Sequence, residues 1–211
     1  MNYPLYMMLF ASYLIGSLSF AIIIAKIMRM DDPRSYGSGN AGATNVMRSG
    51  NKKAAALTLL GDLLKGLLVI IIARLMTQSQ QYSDSIIGLC GVFVIIGHIL
   101  PIFFKFKGGK GVATAIGVML GFNFWLFIGL ALSWFLVFKL TKISSLSAII
   151  AAALSPVFAY LCANGGYWSI NMGNGAYFGA TLMIAVIIVL KHKENIIRLI
   201  KQEESSFKSS N

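Results

Sequence analysis

The chain has 211 residues, of which 57% are hydrophobic and 12% charged, with a mean hydropathy of +0.75. A soluble domain carries about 25% charged residues, so this composition excludes a soluble enzyme or a soluble nucleic-acid binder, although 18 Lys and Arg against 7 Asp and Glu give a net charge of +11. Apolar stretches near or above the ~20 residues needed to cross a bilayer recur along the chain. They predict an all-α integral membrane protein.

In chain order, a first span is expected over Pro4–Ala25. It lacks a basic leader and a small-x-small cleavage site, and so reads as a retained helix rather than a removed signal peptide. The polar segment Lys26–Lys53 follows, then a second span, Ala54–Met76, which carries Asp62 and Lys65. After the short connection Thr77–Asp84, a third span, Ser85–Phe104, contains His98 and Pro101 and leads into KFKGGKG. Val112–Phe138, at 27 residues, is long for one span and short for two. Lys139–Lys142 precede a span near Ser145–Cys162, an uncharged loop (Asn164–Gly173) and a last span near Asn174–Leu190. The tail from Lys191 is polar and basic. Cys90 and Cys162 fall inside apolar runs and are expected as free thiols, with neither a disulfide nor a metal site. No soluble domain and no internal repeat are visible, so residues 1–211 read as a single polytopic membrane domain.

Basic residues decide the expected topology. Six lie in Lys26–Lys53, three in Lys105–Lys110, two in Lys139–Lys142 and five in the tail, leaving only Lys65 and Arg74. All four segments share the cytoplasmic face only if Val112–Phe138 crosses and returns as two short helices, each about 15–20 Å long, broken near Gly121–Phe122–Asn123. A single tilted span would put Lys139 and Lys142 on the wrong face or reverse the tail. The expectation is therefore seven transmembrane helices, with the N-terminus outside and the C-terminus inside. The cytoplasmic segments are then residues 26–53, 105–111, 139–145 and 191–211.

Three of those segments carry groups suited to anions. Tyr36–Arg48 reads YGSGNAGATNVMR. Its glycines allow successive N–H groups to converge on one point, and a helix start just beyond adds to such a cradle. Ser38, Asn40, Thr44 and Asn45 add hydrogen-bonding groups, and Arg48 a two-pronged donor for phosphate or carboxylate. The bland alternative is a flexible polar connection. Lys107–Gly111 sets two lysines around a bare backbone that leads into a helix. It is not a Walker pattern, because no Ser or Thr follows Gly-Lys, and on this motif alone a tight turn with cytoplasmic lysines is the preferred reading. In the tail, His192, Asn195 and Arg198 recur every three residues and would share one helical face, against the alternative of a solvated basic rim.

Asp62 and Lys65 lie one turn apart inside the second span. There they either neutralise each other or mark a functional pathway. His98 is either a site residue or a hydrogen-bonded packing residue. Ser144 and Ser145 open a helix, where capping is the default reading. The aromatic residues read mainly as lipid-facing or interfacial.

Taken in order, GSGNAGATNVMR, FKGGKGVAT and HKENIIRL resemble the bacterial acyl-phosphate:glycerol-3-phosphate acyltransferases (PlsY family). The likeness extends to Asp32-Pro33-Arg34, Asp62 with Lys65-Gly66, and Gly97-His98, and so covers nearly the whole chain. Ala41 stands where the family usually has proline, which loosens the loop without touching chemistry. The resemblance implies transfer of an acyl group from a fatty acyl phosphate to the 1-hydroxyl of sn-glycerol 3-phosphate in the bacterial cytoplasmic membrane. Lysophosphatidate and inorganic phosphate would be the products, the first step toward membrane phospholipid.

It also implies substrate-binding roles for Gly39, Asn40, Gly42, Thr44, Asn45, Arg48, Lys107, Gly108, Gly109, Lys110, Gly111, Thr114, Asn195 and Arg198. Ser145 is added to that set, and Ser38 and His192 are the catalytic candidates. The second motif would serve the acyl phosphate, the first and third glycerol phosphate. Neither metal nor cofactor is expected, and no nucleic acid or protein partner. Direct attack suffices for so activated a donor, with His192 or a donor phosphate oxygen taking the proton. Ser38 would hydrogen-bond reacting oxygens, not act as nucleophile.

Two rival functions have distinguishable signatures. An anion transporter would place its site on broken helices at the midplane of repeated halves, but here the motifs cluster at one face. An acyl-CoA-dependent acyltransferase would carry a His-x4-Asp motif, yet Phe103 and Ile197 stand five residues after His98 and His192. A scaffold would need no such convergence of glycines and arginine.

Overall fold

The computed structural model describes residues 3–77, 83–164 and 176–207. Regular structure among them is helical throughout, with no strand. The expected connection Thr77–Asp84 falls mostly outside the described residues, as do nearly all of the Asn164–Gly173 loop and the start of the last span. The chain divides into two compact units, Met1–Phe122 and Asn123–Asn211.

The first unit contains α1 (Tyr3–Gly16), α2 (Phe20–Ile27), α3 (Ala43–Met47), α4 (Lys52–Thr77), α5 (Ser83–Ile99) and α6 (Val112–Phe122), with 3-10 turns at Pro33–Ser35 and Ile102–Phe104. α4 packs against α6, and α1 against α5. Glycines make both approaches possible. A Cβ on Gly66 would strike the Thr114 carbonyl and one on Gly117 the Leu63 carbonyl, while Gly16 and Gly97 abut the backbones of α5 and α1. Helices whose outer surfaces are already in lipid gain by such backbone contact rather than by hiding apolar side chains.

α4 shows the inversion plainly. Leu57, Leu60, Leu64, Leu68, Ile71 and Leu75 form its exposed stripe, whereas Thr58, Asp62 and Lys65 are buried among alanine and glycine. An aqueous exterior would favour the reverse.

The first span departs from expectation. Instead of one helix over Pro4–Ala25, α1 and α2 meet at 43°. A Gly16-Ser17 pair is a usual site for such a kink. Ser17 Oγ turns back to the Tyr13 carbonyl (2.9 Å), and the Leu18 carbonyl, freed from the helical ladder, accepts from Lys65 Nζ (2.7 Å).

The break expected near Gly121–Asn123 is present, with its causes visible. Asn123 Oδ1 caps α7 (Phe124–Thr141) by accepting from Trp125 N (2.8 Å) and Leu126 N (3.1 Å), and Arg74 Nη2 donates to the terminal Phe122 carbonyl of α6 (2.8 Å). α6 has the short length expected, about 16 Å. α7, with 18 residues, is longer than expected and reaches crossing length.

The second unit comprises α7, α8 (Ser144–Asn164), α9 (Ala176–Lys191) and α10 (Lys193–Ile200), with α8 packed on both α7 and α9. The segment after α10 folds back: Phe207 N donates to the Lys142 carbonyl (2.9 Å), and its ring packs edge-on against Phe138. Among the described residues four helices are long and apolar enough to cross a membrane, five if the bent α1–α2 pair is one span. Cys90 and Cys162 are free, buried thiols.

Candidate functional site

In the first unit, Asp32 caps the Pro33–Ser35 turn and binds the Arg34 guanidinium through both oxygens (2.6–3.1 Å). That hydrogen-bonded guanidinium holds the Asp32 carboxyl below the ordinary carboxylate range against the opposing effect of partial burial. Arg34 Nη1 also reaches the Phe104 carbonyl (3.1 Å), tying the start of the first motif to the approach to the second.

Gly37 and Gly39 take left-handed backbone angles (φ 59° and 66°), and Gly42 stands at the N-cap position of α3. Asn45 organises this loop from within. Buried, it accepts from Ser38 N through Oδ1 (2.9 Å) and donates through Nδ2 to the Pro33 (2.6 Å) and Tyr36 (3.1 Å) carbonyls. The amide expected to meet substrate therefore clamps the loop. Ser38, Gly39, Thr44 and Arg48 are exposed. Arg48 lines a cavity of about 580 Å³ with Tyr36, Gly37, Arg29, Asp31 and Asn51. Ser38, Gly39, Asn40, Gly42 and Thr44 lie outside its lining.

The second motif packs on the end of α5. Gly109 N donates to the His98 carbonyl (3.2 Å). A Cβ on Gly108 would strike that same carbonyl, and one on Gly109 would strike His98 Nε2 and the Ala41 carbonyl. The two glycines are thus required by the protein's own packing, whatever approaches the loop from outside. Gly111 is left-handed (φ 85°), Lys107 is exposed and Lys110 partly buried. Thr114 is fully buried one turn into α6, its carbonyl against Gly66.

Asp62, Lys65 and His98 also come together, all buried. Lys65 Nζ lies 2.8 Å from Asp62 Oδ1 and 2.9 Å from His98 Nδ1.

In the second unit, His192 is buried at the N-cap position of α10, and its Nδ1 lies 2.8 Å from the Ile188 carbonyl. A carbonyl only accepts, so Nδ1 carries the hydrogen, and it is on Nε2 that this ring gains or gives up a proton. Ser145, Asn195 and Arg198 do converge, and their meeting point is a residue the sequence reading passed over. Ser145 Oγ and Asn195 Nδ2 both donate to Glu204 Oε1 (2.7 Å each), and Arg198 Nε to Glu204 Oε2 (2.7 Å). Burial alone would raise the Glu204 carboxyl, but the donors from Arg198, Ser145 and Asn195 outweigh it and hold the group below its ordinary range. The available signal was an acidic pair, Glu203-Glu204, in a tail where Lys and Arg outnumber Glu.

Residues 6–202 match the family model described as glycerol-3-phosphate acyltransferase. The chain is 48% identical over 194 residues to a glycerol-3-phosphate acyltransferase of Chromobacterium violaceum, covering 92% of this chain and 90% of the relative. It is 49% identical to one of Neisseria gonorrhoeae, with 92% of each covered. The structure is similar to the crystal structure of PlsY, an integral membrane glycerol 3-phosphate acyltransferase, in its glycerol 3-phosphate form. The TM-score is 0.86 at 33% identity, over 97% of this chain and 96% of that one. The lysophosphatidic acid form of PlsY gives a TM-score of 0.84 at the same identity and coverage. Helices with leucine outside and charge inside, glycine-built loops packed to backbone contact, and these matches along nearly the full length lead to one conclusion: the chain belongs to the glycerol-3-phosphate acyltransferase family.

Proposed function

We propose that this enzyme transfers a fatty acyl group from acyl phosphate to the 1-hydroxyl of sn-glycerol 3-phosphate. The observation that carries the reading is the meeting of two glycine-built, basic loops within one membrane-embedded unit, where Gly109 of the second lies against the Ala41 carbonyl of the first. Both substrates bring a phosphate and one brings a lipid chain, which such loops at a membrane face suit. In support, the related PlsY structures are described as glycerol 3-phosphate and lysophosphatidic acid forms.

In the proposed reaction, the glycerol phosphate hydroxyl oxygen attacks the acyl carbonyl carbon, and the carbon–oxygen bond to phosphate breaks. Inorganic phosphate leaves with the bond's electron pair. We assign the hydroxyl proton to His192 Nε2, the nitrogen left to gain or give up a proton by the Nδ1–Ile188 contact, and charge stabilisation to the Lys107–Gly111 loop. Ser38 hydrogen-bonds the reacting oxygens, and Arg48 takes the acceptor phosphate in a two-pronged grip. The substrate-binding roles of Gly39, Asn40, Gly42, Thr44, Asn45, Lys110, Thr114, Ser145, Asn195 and Arg198 are proposed on the motif resemblance, and Asn45 clamps its own loop as well. The mixed anhydride supplies the driving force, so the proposal includes no cofactor.

The proposal extends to a seven-span chain in the bacterial cytoplasmic membrane, N-terminus outside and C-terminus inside, supported by the clustering of Lys and Arg. With Cys90 and Cys162 replaced, a cysteine at Ser49 should resist a membrane-impermeant thiol reagent in intact cells, and one at Ser79 should label; the reverse pattern overturns the orientation.

For the reaction itself, purified protein should release phosphate from palmitoyl phosphate when glycerol 3-phosphate is present, and be inert with palmitoyl-CoA at equal concentration. Transfer from acyl-CoA with none from acyl phosphate contradicts the proposal.

A further inference from the structure

The reaction described above leaves the buried cluster Asp62–Lys65–His98 without a part. Lys65 Nζ makes three contacts: Asp62 Oδ1 (2.8 Å), His98 Nδ1 (2.9 Å) and the Leu18 carbonyl at the α1–α2 break (2.7 Å). An ammonium has no lone pair, so it donates to the Leu18 carbonyl and to His98 Nδ1, while its approach to Asp62 Oδ1 is an ion pair outside hydrogen-bond alignment. His98 Nδ1 is therefore an acceptor, and the hydrogen of the neutral imidazole sits on Nε2. Asp62 Oδ1 and His98 Nδ1, two acceptors only 3.4 Å apart, are reconciled by the ammonium they share.

The opposite edge of the imidazole is where the two substrate loops touch. A Cβ at Gly109 would fall on both His98 Nε2 and the Ala41 carbonyl oxygen, so ring, second motif and first motif meet at one point. The His98 backbone holds the same loop, since its carbonyl accepts from Gly109 N (3.2 Å) and closes against Gly108. Stability does not explain a charged cluster here, because well-packed apolar groups stabilise a buried site as well as an ion pair does. A ring locked in one tautomer and one orientation supplies direction, which apolar packing lacks.

We propose that Asp62, Lys65 and His98 form a positioning relay that fixes the spacing of the two motif loops, and with it the spacing of donor and acceptor phosphates. The relay rests on the acyl-transfer reading for its consequence, though not for its geometry. Lys65 and His98 are positioning residues; neither is assigned a contact with substrate.

Two variants of His98 separate this role from simple burial of a charge. In His98→Asn the side-chain oxygen replaces Nδ1 and keeps Lys65 satisfied, but the contact with Gly109 is lost. In His98→Gln the amide reaches the Nε2 position and the Lys65 contact is lost. Positioning predicts that the Asn variant melts near the wild-type temperature, with kcat/KM down about tenfold or more and KM raised for both substrates. It predicts that the Gln variant, though less stable, stays within about threefold of wild-type kcat/KM per folded molecule. The opposite order, with wild-type constants for Asn, overturns the relay.

A measurement on the unaltered protein covers the case in which neither variant folds. The chain has two histidines, so nitrogen-15 histidine labelling reports only two imidazoles. One should show the neutral tautomer with hydrogen on Nε2, and finding none in that form overturns the relay. Wild-type protein inactive with acyl phosphate would defeat the acyl-transfer reading instead, while the tautomer measurement would still judge the relay.

Discussion

The first-motif loop (Tyr36–Arg48) and the tail after α9 both gather donors of the kind that hold anions, yet they are built on opposite plans. The loop is arranged by glycine geometry and a neutral clamp, Asn45, whose amide bonds three backbone groups. The tail is arranged by a charge: Glu204 draws Ser145, Asn195 and Arg198 onto one carboxylate. A site built from backbone should fail when volume is added, and a site built around a carboxylate should fail when charge is removed.

The largest effect is expected from added volume. In Gly109→Ala the new Cβ meets the His98 ring and the Ala41 carbonyl, neither able to move cheaply. A displacement on the scale of 1 Å at the donor loop should cost about a hundredfold in kcat/KM, measured as phosphate release from palmitoyl phosphate. Near wild-type kinetics would remove the backbone plan from the comparison.

Removing charge from the tail should come next. Glu204→Gln keeps the shape, but its amide must either turn a donor toward Arg198 or forfeit the bonds from Ser145 and Asn195. The loss of a charge-assisted bond should lower stability by about 2 kcal/mol, read by denaturant or thermal unfolding. If Glu204→Gln melts with the wild type, the carboxylate is not what arranges this tail.

Arg48→Lys changes neither volume nor sign, only the planar fork. Its effect should be confined to the acceptor, raising KM for glycerol 3-phosphate about tenfold while KM for acyl phosphate stays put. An equal rise for both would mean that the first motif does not discriminate between the two phosphates.

The smallest effect is a slope with pH. The Glu204 carboxyl is held below its unfolded value, so its contribution is present above the ordinary carboxylate range and lost as pH falls through the folded value. Wild-type stability should therefore decline more steeply than that of Glu204→Gln on going from about pH 7 to about pH 4. Parallel curves would show that this carboxylate is not coupled to folding.

These two plans were unequally legible in the sequence. Local geometry was readable: the glycines of the first motif, the Asn123 break, and the one-turn spacing that makes Asp62 and Lys65 partners. Features made by distant residues were not. The α1–α2 bend involves a lysine 47 positions from the carbonyl it meets, and His98 joins Lys65 across 33 positions. Glu204 was hidden differently: the tail's positive balance points to anions, and the acid that organises its donors carries the opposite sign. The motif shows that Asn45 brings an amide to the loop; the three backbone groups it faces are set by the fold.

The most direct measurement of the central claim is a rapid-mixing experiment with wild-type enzyme and palmitoyl phosphate, with glycerol 3-phosphate omitted and then added. Direct transfer predicts no burst of phosphate without acceptor. Once acceptor is present, one phosphate should appear for each lysophosphatidate formed. A burst equal to the enzyme concentration in the absence of acceptor would reveal an acyl-enzyme and contradict direct attack, and phosphate release without lysophosphatidate would contradict acyl transfer altogether.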